Sequence, residues 1–220
     1  MKAVIFDFNG TLFNDNRFHV EAWQRYMRRK FGVDLTLEEV YREFIGPNNS
    51  TILRNRFGER FTPAQIEQMG REKEEEYRAV ARSNPENMRL MDGAPELFDL
   101  LVERKIAFAL ATASIIDNVS FYLNELGLKR WFTMDRIVYD EGKLPSKPDP
   151  AFYIEAMRRL NMKREDCIIV EDSPSGIQAA INAGAGRIIA IDRTAPLEWL
   201  QSKAESHAII HDFYGFERYL

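Results

Sequence analysis

The chain has 220 residues, 45% hydrophobic and 29% charged, with a formal net charge of -4, a balance that suits a soluble globular protein built as one domain with a large insert or as two small domains. There is no domain-wide basic excess to suggest nucleic acid, and no apolar run approaches the roughly 18 residues of a membrane span. A single cysteine, Cys167, excludes an intrachain disulfide and fits a reducing compartment. The first acid follows the opening residues too closely for a signal peptide, so the expectation is a cytoplasmic monomer with no membrane and no nucleic-acid partner.

In chain order, Ala3-Val4-Ile5-Phe6 is a short apolar run of the kind that fills a buried parallel strand. Asp7-Phe8-Asn9-Gly10-Thr11 follows, and Gly10 with Thr11 breaks the strand. An acid at the carboxyl end of such a strand lies where open α/β sheets bind their ligands, so Asp7 reads as a nucleophile or a metal ligand. Asn9 sits two residues on, and an amide cannot shuttle a proton.

Residues 14–88 hold helical patterns and no convincing strand. His19 to Phe31 places Trp23, Tyr26, Met27 and Phe31 close to helical spacing. Thr36 with Glu39 forms a capping-box pattern, and Thr62-Pro63 opens a second helix with proline at its first position. Glu72 to Glu76 reads as a solvated helix face. Ser83 to Asn87 and Met91 to Pro95 mark a return to a different rhythm.

From there short apolar runs alternate with helical patterns. The predicted strands are Ile106 to Ala111, Arg136 to Tyr139, Cys167 to Val170, Arg187 to Ile191 and Ala208 to His211, with helices over Pro95 to Leu101 and Pro150 to Leu160. Such alternation implies a parallel sheet with helices on both faces. Right-handed crossovers then bring all the carboxyl strand ends to one edge. The fold class is α/β: a parallel-sheet core (1–13 and 89–220) with an inserted α-helical cap (14–88). Cys167 reads as a buried strand residue rather than a reactive thiol. Gly184-Ala185-Gly186 precedes a strand, whereas a dinucleotide fingerprint must open a helix.

Four polar features fall at or beyond strand ends: Asp7 with Asn9; Thr112-Ala113-Ser114; Lys147 in Ser146-Lys147-Pro148-Asp149-Pro150; and Glu171-Asp172. Singly, each has a bland explanation as a helix cap or a loop. Gathered on one edge, they permit phosphoryl transfer. Asp7 can attack phosphorus, and the crowded acids Asp7, Glu171 and Asp172 repel one another unless a cation intervenes. Mg²⁺, a hard oxygen-seeking ion, is the natural choice. Lys147 adds positive charge, and Thr112 with the neighbouring N–H groups can bind anionic oxygen.

On these motifs, and on the string Val170-Glu171-Asp172-Ser173-Pro174-Ser175-Gly176-Ile177-Gln178-Ala179-Ala180, the chain resembles haloacid-dehalogenase-superfamily phosphohydrolases of the β-phosphoglucomutase-like subgroup over essentially its whole length. The resemblance implies a Rossmann-like core with a mobile helical cap. Asp7 would be the nucleophile and a Mg²⁺ ligand, joined by the backbone carbonyl of Asn9 and by Asp172, with Glu171 reaching the ion directly or through water. Thr112 and Lys147 would hold the phosphate, assisted by the backbone around Ala113 and Ser114. In the cap, His19 and Trp23 match a helix that faces substrate, with cap core as the competing reading for both. Gly46-Pro47-Asn48-Asn49 matches the mutases' substrate loop. That loop usually ends in an arginine for a second phosphate, and Asn49 stands there instead, which favours a monophosphate hydrolase.

The family pattern has an aspartate where this chain has Asn9. That acid protonates the leaving oxygen and activates water, which is worth roughly 10²–10⁴-fold. The expectation is therefore a Mg²⁺-dependent phosphatase for a small phosphorylated metabolite, slowed by Asn9 or served by a substitute base such as His19. The alternatives are a weakened phosphometabolite binder, a β-phosphoglucomutase-like isomerase and a 2-haloacid dehalogenase, the last disfavoured by Glu171-Asp172. Asn9-Gly10 is also a pair prone to deamidation, which would create an acid at the missing position.

Overall fold

The computed structural model describes residues 2–45, 48–191 and 207–220. The chain divides into two compact units, Met1–Asn14 with Arg89–Leu220 and Asp15–Met88. Among the described residues, no helix is long and apolar enough to cross a membrane.

The first unit is built on a parallel sheet. Its strands are β1 (Ala3–Phe6), β2 (Ala107–Ile115), β3 (Ile137–Asp140), β4 (Cys167–Glu171), β5 (Arg187–Ile191) and β6 (Ala208–Ile210). Among the described residues their order is β3-β2-β1-β4-β5-β6. β1 therefore lies at the point where the strand order reverses, with Phe6 level with Leu110 of β2 on one side and Val170 of β4 on the other. That is the crevice in which open α/β sheets place ligands.

Side-chain alternation along β1 splits the core in two. Ala3 and Ile5 join Ala109, Ile169 and Ala190 in a cluster closed by Phe152, Tyr153 and Ala156 and by Ile177, Ala180 and Ala183. On the other face Phe6 meets the rings of Phe98, Phe213 and Phe216. All four β1 side chains are wholly buried, with Val4, Ile5 and Phe6 each contributing about 1.5–3 kcal/mol. This burial on both faces is why the run carries no polar alternation.

β2 runs further than its apolar stretch predicts. It continues past Ala111 to Ile115, which pairs with Asp140 across a register irregularity. Thr112, Ala113 and Ser114 thus belong to the strand end itself. Apart from that extension, the strand bounds fall within a residue of those read from the apolar runs.

The second unit, described on its own, is helical: α1 (Asn16–Phe31), α2 (Leu37–Glu43), α3 (Asn49–Phe57) and α4 (Pro63–Arg82). The expected capping box forms at Thr36 with Glu39, and the helix start expected at Thr62-Pro63 proves to carry a second one, Thr62 with Gln65. Trp23, Tyr26 and Met27 pack with Val40, Phe44, Leu53, Ile66 and Met69. One expectation fails here. Within the charged run Glu72 to Glu76, Lys73 and Glu74 are buried, because helical spacing places them on the α4 face that also carries Met69, Gly70 and Tyr77. Back in the first unit, four further helices are α5 (Ala94–Glu103), α6 (Ile116–Glu125), α7 (Ala151–Arg159) and α8 (Pro174–Ala183).

Candidate active site

Asp7 follows β1 directly, and its N–H donates to the carbonyl of Val170 at 3.0 Å, continuing the ladder one step beyond the strand. Glu171 ends β4, and Asp172 follows it. All three carboxylates are buried, at 7%, 1% and 5% exposure. They can each bring one oxygen within 4.8 Å of the others. Two glycines make room for them. Gly10 has φ +82°, and a Cβ there would stand 2.2 Å from Oδ2 of Asp172. A Cβ on Gly176 would stand 1.7 Å from Oε1 of Glu171.

Lys147 enters from the loop before α7. Its Nζ donates to Oδ1 of Asp7 at 2.6 Å and to Oε1 of Glu171 at 2.7 Å. Burial alone would pull this ammonium down, but the charges of Asp7 and then Glu171 outweigh it and hold Lys147 well above the ordinary lysine range. Glu171 also accepts from the Tyr153 hydroxyl at 3.0 Å, and from the N–H and hydroxyl of Ser173 at 2.7 and 3.0 Å. Burial, and then the Glu171 charge, push the Tyr153 phenol well above its usual range, so it stays a donor. Ser173 caps α8 through Gly176 N–H. The Thr11 hydroxyl donates to Oδ1 of Asp172 at 3.0 Å. One lysine among three buried carboxylates leaves net negative charge, and an oxygen-only donor set of this kind fits a hard divalent cation.

A second network adjoins the first through Asn9. Its Oδ1 accepts from the hydroxyls of Thr112 at 3.2 Å and Ser114 at 2.7 Å, and its Nδ2 donates to the Tyr122 hydroxyl at 2.9 Å. Gly10 N–H donates to the carbonyl of Phe13 at 2.8 Å. That bond engages the nitrogen that would have to attack the Asn9 side chain in deamidation, so the folded loop works against that conversion.

Residues 4–190 match the model of the haloacid dehalogenase-like hydrolases. The chain belongs to that family. Haloacid dehalogenase-like relatives include the phosphorylated carbohydrates phosphatase of Thermotoga maritima, 29% identical over 195 residues that cover 87% of this chain and 85% of the relative. Validoxylamine A 7'-phosphate phosphatase of Streptomyces hygroscopicus subsp. limoneus is 30% identical over 185 residues, covering 83% and 82%. A crystal structure of a family IA, variant 3 hydrolase from Entamoeba histolytica superposes with a TM-score of 0.87 at 30% identity, covering 97% of this chain and 94% of that one.

Within this haloacid dehalogenase-like fold, the structure gathers Asp7, Lys147, Glu171 and Asp172, and beside them Asn9, Thr112 and Ser114, with Ala113 exposed between the last two. His19, Trp23 and Asn49 belong to the helical unit, and Gly46 lies outside the described residues. Trp23 is 1% exposed, within that unit's core. Both ring nitrogens of His19 are engaged: Nδ1 with Lys73 Nζ at 2.7 Å, and Nε2 with Asp15 Oδ2 at 3.3 Å. His19 therefore has neither nitrogen uncommitted for a substitute-base role. Asn49 donates to Glu74 Oε1 at 2.6 Å, and Lys73 donates to the same oxygen at 2.9 Å.

Three residues of the first unit escape a reading along the chain. Thr11 reads only as a strand breaker, Tyr153 falls unremarked in the helix expected over Pro150 to Leu160, and Tyr122 is not singled out at all. Each is made a site neighbour by a partner 18 to 161 positions away, as |i−j| = 161 for Thr11 with Asp172, 113 for Tyr122 with Asn9 and 18 for Tyr153 with Glu171.

Proposed function

We propose that this chain is a Mg²⁺-dependent phosphomonoester hydrolase for a small phosphorylated metabolite of the sugar-phosphate class, working through an aspartyl-phosphate on Asp7. The observation that carries this reading is the Lys147 ammonium bonded to both Asp7 and Glu171, with Asp172 beside them at the carboxyl edge of the sheet. The substrate class rests on the relatives named for phosphorylated carbohydrates and for a 7'-phosphate.

Asp7, Asp172 and the backbone carbonyl of Asn9 would hold the ion, with Glu171 directly or through water. Bound there, the ion supplies charge neutralisation at the phosphoryl oxygens. A carboxylate oxygen of Asp7 forms a bond to phosphorus while the bond to the alcohol oxygen breaks. Lys147 and Thr112 hold the phosphoryl group, with the backbone at Ala113 and Ser114. Water then attacks phosphorus, the Asp7 oxygen–phosphorus bond breaks, and phosphate leaves with the carboxylate restored. The departing alkoxide needs a proton that Asn9 cannot give, so it takes one from water. Turnover is slower for that reason, by an amount within the roughly 10²–10⁴-fold that general acid–base help supplies. Residues 14–88 would be the helical cap of this enzyme.

A second reading, binding without turnover, draws on the engagement of both ends of the Asn9 amide. A panel of phosphate monoesters, assayed with Mg²⁺ and with chelator, separates the two. We expect Mg²⁺-dependent phosphate release by the native chain, none from Asp7→Asn, and faster release from Asn9→Asp. Turnover that survives Asp7→Asn overturns the covalent route. A silent native chain awakened by Asn9→Asp makes it a binder.

A further inference from the structure

Asn9 occupies the position whose usual acid this chain lacks, yet its side chain is among the most fully bonded at the site. An amide has two unlike ends: the oxygen only accepts and the nitrogen only donates. Here the oxygen accepts from the hydroxyls of Thr112 and Ser114, and the nitrogen donates to the Tyr122 hydroxyl. The Ser114 backbone N–H, which can only donate, points at the Thr112 hydroxyl oxygen at 3.1 Å, and Thr112 in turn donates to Asn9. One sense of donation thus runs from the β2 backbone through Thr112 and Asn9 to Tyr122.

This chain of bonds stands where the sheet itself is interrupted. The pairing of β2 with β3 loses its register between Ala111 and Ile115, and that stretch includes Thr112 and Ser114. Side-chain bonds to the β1 loop hold what the ladder does not. Tyr122 is well fitted to anchor them. It is 2% exposed, and its ring lies 4.3 Å from that of Phe8 at 29° and edge-on to Phe13 at 6.1 Å. Phe8 directly precedes Asn9, and Phe13 follows it by four residues.

We propose that Tyr122 is a positioning residue: its hydroxyl accepts from Nδ2 and holds the Asn9 amide in place, and Asn9 so held clamps Thr112 and Ser114 at the end of β2. Position 9 has exchanged proton transfer for alignment of the phosphate-holding strand end. The functional half of this inference rests on the hydrolase reading above.

Tyr122→Phe tests it, because it removes one oxygen and keeps the stacked ring. We expect kcat/KM to fall roughly tenfold, the scale of one lost hydrogen bond. In an Asn9→Ala background, which retains the backbone carbonyl and the 3.4 Å contact of the Tyr122 and Ser114 hydroxyls, Tyr122→Phe should cost much less than in the native chain. Equal losses in both backgrounds would mean that Tyr122 acts through packing or directly on Ser114 rather than through Asn9, and would overturn the proposal. A readout independent of turnover is the exchange of the Asn9 side-chain NH₂ protons with solvent in ¹⁵N-labelled protein. We expect slow exchange in the native chain and fast exchange in Tyr122→Phe, and unchanged exchange would also overturn the proposal. If the native chain hydrolyses nothing, the hydrolase reading fails while the exchange measurement still decides the role of Tyr122.

Discussion

Replacing Gly176 by alanine sets two physical effects against each other. Gly176 lies in the first turn of α8, and by helix propensity alone the change should stabilise by up to about 1 kcal/mol. The structure says otherwise, because the new Cβ would stand 1.7 Å from Oε1 and 1.9 Å from Cδ of Glu171. Glu171 is 1% exposed and accepts from Lys147, Tyr153 and Ser173, so its carboxylate is not the loose end of a flexible side chain. Crowding of this kind costs about 1–3 kcal/mol. A displaced carboxylate that surrenders one charged hydrogen bond loses about 1.5–3 kcal/mol more. Against a propensity gain of about 1 kcal/mol, the net expectation is a destabilisation of about 1.5–5 kcal/mol. Urea unfolding followed by circular dichroism measures it, with the double variant Gly176→Ala/Glu171→Ala as a check that less is lost from adding the methyl once the carboxylate is gone. A Gly176→Ala protein as stable as the parent, or more so, would refute the claim that this glycine exists to admit Glu171.

Two further outcomes follow from the charges. Lys73→Met removes the ammonium shared by Glu74 and His19; breaking a buried pair from one side costs about 3–5 kcal/mol. We expect the loss as faster amide hydrogen exchange in α1 and α4, and exchange equal to the parent's would contradict the pairing. Glu155, hydrogen-bonded first by Arg158 and then by Arg159, is held down from 4.5 to about 2. A depressed carboxyl stabilises the fold above its ordinary 4.5 and ceases to as pH falls through about 2. Glu155→Gln should therefore be the less stable protein at neutral pH, with the gap closing across that acid window in matched urea titrations; a gap that widens toward acid would reverse the sign of the argument.

The parts of this molecule that are legible along the chain are those fixed by local physics. β1 declares itself because strands buried on both faces must be apolar throughout, and Thr36 with Glu39 declares a helix start because the capping box is closed within four residues. Asp7, Thr112 and Glu171 are legible for a related reason: each stands at the end of such a run, and a parallel sheet aligns those ends on one edge. Lys73 and Glu74 were hidden by their surroundings in sequence. A lysine inside a run of glutamates has the composition of a solvated face, and only the 3.6-residue period, carried through to Tyr77, turns it inward toward His19, 54 positions away. Tyr122 was hidden more deeply still, since an aromatic on an amphipathic helix is core by default and its hydroxyl acquires meaning only from Asn9. Gly10 and Gly176 fall between these cases. Each reads locally as punctuation, a strand stop or a helix-start residue, while its missing side chain is the space taken by Asp172 or Glu171. Asp172 and Glu171 are thus specified twice, once by their own place at the strand end and once by a glycine that must remain without a side chain opposite them. A substitution at either glycine should disable the acid it admits as surely as a substitution of the acid itself.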